Sequence, residues 1–560
     1  MPTLNILSWN IKDFAGNRYT KHGNTILNTI YSTAGARLFD IIVVVEPLTK
    51  MVKFSHGDVV TEGAGLDGIL ALYFGLAAKH PAWRVVPLRA SADPPKSDMI
   101  GVYYFSEVVD FTGPDNIVGP TAIVTKTVTP THHSLPWGAT STKAGKVAFE
   151  DTGGTDVDFF GRNPYLVEFN TPERTARKFS VDVKALPGPN LDIFTGSLPD
   201  AVDAHPYRFT LQACGGTPPY VWSKEGTSAL PAGLDFVGGV LSGTPTVTGA
   251  FHLDVKVADG AGNDVTKSIA LTSRAVTGGL VFETAAALPD AVEGQPYDVL
   301  LVTSGGTGAR SVIHAPQKIT DKLPVGCSVA TDGAFVWAAP TVKKLEFDTS
   351  VADSTDRGFV VVGLHAPPQA RAPENSDAVN NIALIRDILP PLRTKPVVIV
   401  GDFNTCPLVP QCRVLVKPGK KNDPDYKDTT HPVAESTALN ALTLAGFTSH
   451  KTMVRSSLKA AKGAGEAAYY YVATKQPPAP NITLDHLTTH AFDHILTIGL
   501  PGGAVTNVAT VDLVALDPGF VAAETDAKNK KPSPIKGICK KYLWTEGVSD
   551  HYPVKLSITL

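Results

Sequence analysis

Cysteine is scarce in this 560-residue chain: Cys214, Cys327, Cys406, Cys412 and Cys539 are the whole set, and they show no metal-like spacing. An odd, sparse set argues against a disulfide-built scaffold, although Cys406 and Cys412 stand close enough to bridge a small loop. Long hydrophobic runs are absent too, and none approaches the ~18 residues of a membrane span. Neither sign of charge dominates. Fifty Lys and Arg stand against 53 Asp and Glu, for a formal net charge of −3. No global cationic field draws in nucleic acid, so any such binding has to use local patches. The first strand-like stretch, LNILSWNI from Leu4, has no basic segment or apolar leader before it. The stretch as it stands carries no Sec-type signal, so the expectation is the cytoplasm, a non-Sec export route or a signal peptide already removed.

The chain is too long for one core and calls for two to four domains. A hydrophobic content of 43% supports packed domains, and 49 Gly with 44 Pro suit β-structure and loops. Leu4 to Ile11 alternates like a strand. Tyr19 to Leu38 carries a helix-like pattern, and DIIVVVEP, Asp40 to Pro47, is a buried strand ending on Glu46. Leu66 to Lys79 reads as another helix, and WRVVPL, Met99 to Phe105 and Gly161 to Phe169 read as strands. This β-α-β start argues for a layered α/β domain.

Composition shifts near Leu186. From there to about Arg357, short strands alternate with Gly, Pro, Thr and Asp turns, as in a β-sandwich. The region repeats itself: LPDAVDAHPY begins at Leu198 and LPDAVEGQPY at Leu288, and GTPTVTGAFHLDVKVAD returns as AAPTVKKLEFDTSVAD. We read two β-modules, residues 187–275 and 276–356, inserted between domain parts 1–186 and 357–560. Both modules resemble the immunoglobulin-like domains common in bacterial surface proteins, and the second is the more degenerate copy. Such modules suit extracellular work and imply a protein or glycan ligand.

The α/β pattern resumes with FVVVGLHAPP, a strand ending at His365, then helix-like stretches Asn375 to Leu389 and Glu435 to Ala445. Between those two helices lies VVIVGDFNT, Val397 to Thr405, a buried strand running into a turn that presents Asp402 and Asn404. FDHILTIG starts at Asp493, and SDHYPVKLSITL closes the chain with Asp550 and His551 at its head. Asn10, Glu46, Arg162, His365, Asp402, Asn404, Asp493, Asp550 and His551 thus all fall at strand ends. Four carboxylates gathered in one crevice would repel each other without a divalent cation. Oxygen ligands with amides and few thiols suit Mg²⁺, Mn²⁺ or Ca²⁺ rather than zinc. A metal and an arginine can neutralise a phosphoryl transition state while two histidines handle protons.

The ordered set WN, VEP, LHAP, GDFN, FDHI and SDHYPV resembles the endonuclease/exonuclease/phosphatase superfamily, and within it the deoxyribonuclease I branch. The resemblance implies an α/β four-layer sandwich, two packed β-sheets flanked by helices, interrupted by the immunoglobulin-like modules. It casts Glu46 as the main metal ligand, with Asn10 and Asp550 near the same ion. Asp402 and Asn404 would orient nucleophile and phosphate. His551 would be the base-side histidine, and His365 the general acid with Asp493 as its carboxylate partner. Arg162, with Lys12 nearby, would contact substrate phosphate. The family's arginine after Asp493 is replaced by His494, and the disulfide-bearing loop is missing, which weakens the case for DNA-groove contacts. Trp9, Trp83 and Tyr103 read as core. A basic run including Lys528, Lys530 and Lys531 is a candidate to track a nucleic-acid backbone. The implied activity is metal-dependent, relatively nonspecific DNA cleavage. The alternatives are a superfamily phosphatase or phospholipase of the sphingomyelinase or phosphoinositide phosphatase type, and a binding protein with an inactive head.

Overall fold

The computed structural model describes residues 3–32, 34–49, 54, 57–91, 97–116, 125–128, 131–134, 143–147, 162–185, 188–226, 228–314, 323–355, 357–367, 378–379, 381–382, 394–404, 442–450, 493–513, 548–549 and 551–560. Two compact units emerge: Met1–Thr171 with Arg357–Leu560, and Pro172–Asp356.

The first unit is built on two sheets. One contains β1 (Thr3–Phe14), β2 (Ile41–Thr49), β3 (Trp83–Val85) and β4 (Ser97–Phe105) from the front of the chain. The other contains β5 (Tyr165–Asn170), β6 (Gly358–His365), β7 (Val397–Asp402) and β8 (Asp493–Ile498). The last two strands, β9 (Val505–Thr510) and β10 (Val554–Thr559), return to the first sheet, whose order is β3-β4-β2-β1-β10-β9. In the second sheet β5, β6, β7 and β8 are consecutive neighbours. The pairs β1–β2 and β6–β7 are parallel; β1–β10, β5–β6 and β7–β8 are antiparallel.

The sheets share one apolar layer. Leu4 and Ile6 of β1, Val43 and Val45 of β2, Val361 of β6, Val398 and Val400 of β7 and Leu556 of β10 are all buried in it. The central strands are covered on both faces, which is why they read as unbroken Val/Ile runs. The first sheet's outer face is covered by α1 (Gly16–Ile30) and α2 (Ala64–Lys79). Helix α1 stops short of the expected Leu38 because Tyr31 turns extended, its hydroxyl accepting a hydrogen bond from Trp83 Nε1 at 2.6 Å. At the end of β7, Gly401 has φ +142°, and a Cβ there would lie 2.0 Å from the Leu364 carbonyl oxygen. Only glycine fits where the strand breaks toward Asp402.

The expected fold class is overturned. Strand makes up 48% of the described residues and helix 11%, so the molecule is predominantly β rather than an α/β four-layer sandwich flanked by helices. The physical reason is twofold. The insert adds strands and no described helix, and the long apolar runs bury one face by sheet-on-sheet packing. The second sheet's outer face is packed by Ala378, Val379, Ile382, Leu442 and Phe447. The helix expected over 375–389 lies almost wholly outside the described residues, and the one over 435–445 is described only from 442 onward.

The second unit holds two modules of one design. In both, a tyrosine returns its hydroxyl to the proline carbonyl eight residues back: Tyr207 to Pro199 at 3.1 Å, and Tyr297 to Pro289 at 2.9 Å. In both, an aspartate accepts from the amide after a Gly-Gly turn: Asp259 from Thr217, Asp353 from Thr307. The repeated motifs are therefore turn and corner devices. The modules differ in one strand. Gly249–Ala258 pairs with the strand that follows it, Asp264–Arg274. Its counterpart Lys344–Asp353 pairs instead with Arg174–Lys184, which precedes both modules. Residue 174 lies as far before 264 as 264 lies before its own repeat position, so the chain supplies the closing strand first. The sequence reading placed 172–186 in the first domain, whereas the compact unit begins at Pro172. It also explains why the second copy runs straight into β6: its last strand is already in place.

The two modules share one core and one six-stranded sheet, joined where Phe209 meets Val299. Gln212 of the first module bonds Pro296 O and Val292 N of the second.

Candidate active site

In the first unit, the neighbouring ends of β6, β7 and β8 place His365 beside Asp402 and Asp402 beside Asp493 in the ladder. Asn10 comes from β1, at the residue where its pairing with β2 shifts register, and His551 from just before β10. Residues from both ends of the chain and from its middle thus meet at one edge of the paired sheets.

Asp402 is the centre and is fully buried. Its Oδ1 accepts from the Asn404 amide at 2.8 Å. Its Oδ2 accepts from Asn10 Nδ2 at 3.0 Å and Asn404 Nδ2 at 3.1 Å. His551 Nε2 and His365 Nε2 stand 3.6 and 3.7 Å from that oxygen. Asn404 also donates to Ala366 O at 3.0 Å and holds φ +47°, a left-handed conformation that asparagine tolerates better than most residues. A buried carboxylate needs such donors to offset its desolvation.

His551 Nδ1 lies 2.7 Å from Asp493 Oδ2, both groups buried. An ionised carboxylate only accepts, so Nδ1 carries the proton and Nε2 is the ring's basic atom. This corrects the expected pairing: Asp493 serves His551, not His365. The expected pairing rested on the family resemblance; in the fold Asp402 stands between His365 and Asp493, and His551 arrives from the other sheet.

His365 has a different neighbour. Arg162 Nη1 lies 2.7 Å from His365 Nε2 and donates to Ala366 O at 2.8 Å. A guanidinium only donates, so His365 Nε2 accepts here and cannot at the same time deliver a proton. The expected general-acid role therefore requires Arg162 to move onto another acceptor first.

Glu46 sits half-buried at the end of β2 with φ +69°, where the β2–β4 register shifts between Val45 and Leu48. Such a bulge re-aims a side chain, and strain of this kind clusters at functional sites. Lys12 is two residues beyond Asn10 and partly exposed. Asp550, Lys528, Lys530 and Lys531 lie outside the described residues. His494 packs its ring edge-on to Phe403 at 5.3 Å and is buried, a core histidine in this fold.

The residues present fit a divalent cation. Ligand atoms of Asp402, Asp493 and His551 lie within 4.8 Å of one another. Asn10 Oδ1 is buried and makes no hydrogen bond among the described residues. The Asp402 carboxylate and the Asn10 amide oxygen are hard donors that suit such a cation, while Asp493 and His551 beside them are paired with each other.

Residues 193–274 match the family model "Putative Ig domain", which spans the first module. Among curated proteins, none matches the chain. Among solved structures, it is similar to an endonuclease/exonuclease/phosphatase family protein from Bacteroides thetaiotaomicron, with 8% identity, 100% of this chain and 98% of that chain covered, and a TM-score of 0.31. It is likewise similar to a mannosyl-6-phosphatase from Bacteroides thetaiotaomicron VPI-5482, with 9% identity, both chains fully covered and a TM-score of 0.30. A shorter likeness, to a putative alpha-galactosidase from Bacteroides fragilis, has 24% identity, a TM-score of 0.13 and covers 15% of this chain. The chain spans only 17% of that protein's length. At such scores the reaction has to be read from the site's own chemistry.

Three side chains at the site escaped the sequence reading: Ser549, Trp9 as a hydrogen-bond donor, and Arg18. The only local signal was adjacency, since Trp9 precedes Asn10 and Ser549 stands two before His551.

Proposed function

We propose that the first unit hydrolyses phosphoester bonds with a divalent cation, and that its substrate is the phosphodiester backbone of DNA. The observation that carries the reading is the buried line Asp493–His551–Asp402, with Asn10 Oδ1 beside it. Asp402 and Asn10 would hold the cation, with Glu46 from the β2 bulge and Asp550. Once bound, the cation would neutralise charge on the phosphoryl oxygens and lower the pKa of a coordinated water. Asp493 fixes the His551 tautomer, so Nε2 can take the proton of an attacking water. Arg162 is the cationic donor for a substrate phosphate. Moving onto that phosphate, it releases His365 Nε2, which can then take up a proton from solvent and give it to the leaving oxygen. Asn404 holds the Asp402 carboxylate still through two donors.

The test is cleavage of supercoiled plasmid with Mg²⁺, Mn²⁺ or EDTA, beside His551→Ala. We expect metal-dependent nicking, abolished by EDTA and lowered about 10²–10⁴-fold in the variant. No nicking by folded wild-type protein, with metal-dependent hydrolysis of p-nitrophenyl phosphate or bis-p-nitrophenyl phosphate, would refute DNA and keep the hydrolase. Inertness toward all three, or full activity in His551→Ala, would sink the mechanism.

A further inference from the structure

The segment that carries His551 is tied down by the opening residues of the chain. Ser549 is fully buried. Its Oγ donates to the Asn10 carbonyl at 2.6 Å and accepts from the His551 amide at 3.1 Å and the Lys12 amide at 3.3 Å. A serine hydroxyl has one proton and two lone pairs, so its whole hydrogen-bonding capacity is used. On the other side of the same residue, Trp9 Nε1 donates to the His551 carbonyl at 2.9 Å. Arg18 Nη1 donates to the Val548 carbonyl at 2.9 Å. Trp9 is itself buried, 1% exposed in the core beneath α1 and α2.

These ties are not needed to join the terminal strands. The β1–β10 ladder runs from Thr3 opposite Thr559 to Ser8 opposite Val554 and stops there. Trp9, Asn10 and Lys12 lie past its end on one strand, and Ser549 and His551 before its start on the other. The bonds act on a stretch beyond that ladder, where His551 itself makes a β-bridge.

We propose that Ser549 and Trp9 are positioning residues of the site, clamping both backbone groups of His551 so that Nδ1 meets Asp493 and Nε2 faces Asp402. Through the Asn10 carbonyl the same hydroxyl sets the position of Asn10 relative to His551. Proton transfer demands placement within a fraction of an ångström, which a free loop does not supply. The rate consequences rest on the hydrolase reading; the geometric claim does not.

The experiment therefore has two readouts, on Ser549→Ala and Trp9→Phe in the full chain. With bis-p-nitrophenyl phosphate and metal, kcat falls about 10–100-fold while KM stays within about twofold. In a His551→Ala background, adding Ser549→Ala costs less than about twofold, because the group it positions is gone. An equal loss in both backgrounds, or a change confined to KM, would overturn the proposal. The second readout is the His551 Nδ1–H resonance in ¹⁵N-histidine-labelled protein, which needs no activity. Its exchange with solvent speeds up at least tenfold in Ser549→Ala and in Trp9→Phe, with the folded-state amide spectrum kept. An unchanged resonance in both variants refutes the clamp even if wild type hydrolyses nothing. If Ser549→Ala fails to fold, Trp9→Phe alone decides, since it removes one donor and keeps an aromatic ring in the core.

Discussion

Asp402 and His551 show how a burial cost becomes a working arrangement. The Asp402 carboxylate has lost its water entirely and recovers the loss from two asparagine side chains and one amide. His551, equally buried, spends one ring nitrogen on Asp493 and turns the other toward Asp402. Replacing Asp493 with asparagine keeps the volume but removes the charge that fixes the tautomer. Asp493→Asn therefore lowers kcat about 10²–10⁴-fold, the range that general acid–base catalysis contributes. Its melting temperature stays within a few degrees of wild type. Steady-state kinetics with a calorimetric scan checks both, and a variant of normal rate removes Asp493 from the mechanism.

At the scale of elements, the second unit is governed by one polar cluster, around Glu283, and one displaced strand. Burial would raise the Glu283 carboxyl, but the Ser304 hydroxyl, the Thr277 amide and the Arg274 guanidinium outweigh it and pull it down to about 2. A carboxyl held lower in the folded than in the unfolded chain adds stability above its ordinary value near 4.5. That contribution, up to ~3 kcal/mol, is lost as pH falls from about 4.5 toward 2. Thermal unfolding of the full chain should show this acid slope, and Glu283→Gln should flatten it while lowering stability at neutral pH. A slope unchanged in the variant would exclude Glu283 as its source. The displaced strand makes a second prediction. Phe179 is fully buried, 5.3 Å from the Phe282 ring and 5.8 Å from that of Phe347. Phe179→Ala should cost about 3–5 kcal/mol and unfold the second module, although it precedes the first in the chain. Hydrogen exchange along Lys344–Asp353 reports it; protection equal to wild type would contradict the pairing.

For the whole molecule, the insert's ends matter more than its bulk. Within the first unit, Asn170 on β5 lies opposite Gly358 on β6, an antiparallel pair that a short turn could join. Within the second, Arg174 lies opposite Ala352, so its two ends also emerge side by side. A β-unit closed by its own first strand can thus interrupt a hairpin without disturbing it. Replacing residues 172–356 by a short Gly-containing turn should leave the first unit folded, with kcat on bis-p-nitrophenyl phosphate within about threefold of the full chain. Loss of folding in that variant would show that the insert is needed for the first unit's stability.

The motifs at strand ends were legible in the sequence because each is local: a β-branched run, a break at glycine, then an acid, amide or histidine. So was the internal repeat, since a repeated LPDAV…PY corner has to be built the same way twice. Helices α1 and α2 were legible from their periodicity, but the layering was not, because a run buried on both faces looks the same whether helices or a second sheet cover it. What only the tertiary structure decided is partnership. Asp493 belongs to His551, Arg162 rests on His365, Ser549 holds Asn10, and Arg174–Lys184 closes a module that begins about a hundred residues later. Hydrogen-bond partners hundreds of positions apart leave no local trace. They follow from which strand ends a sheet brings within 3 Å.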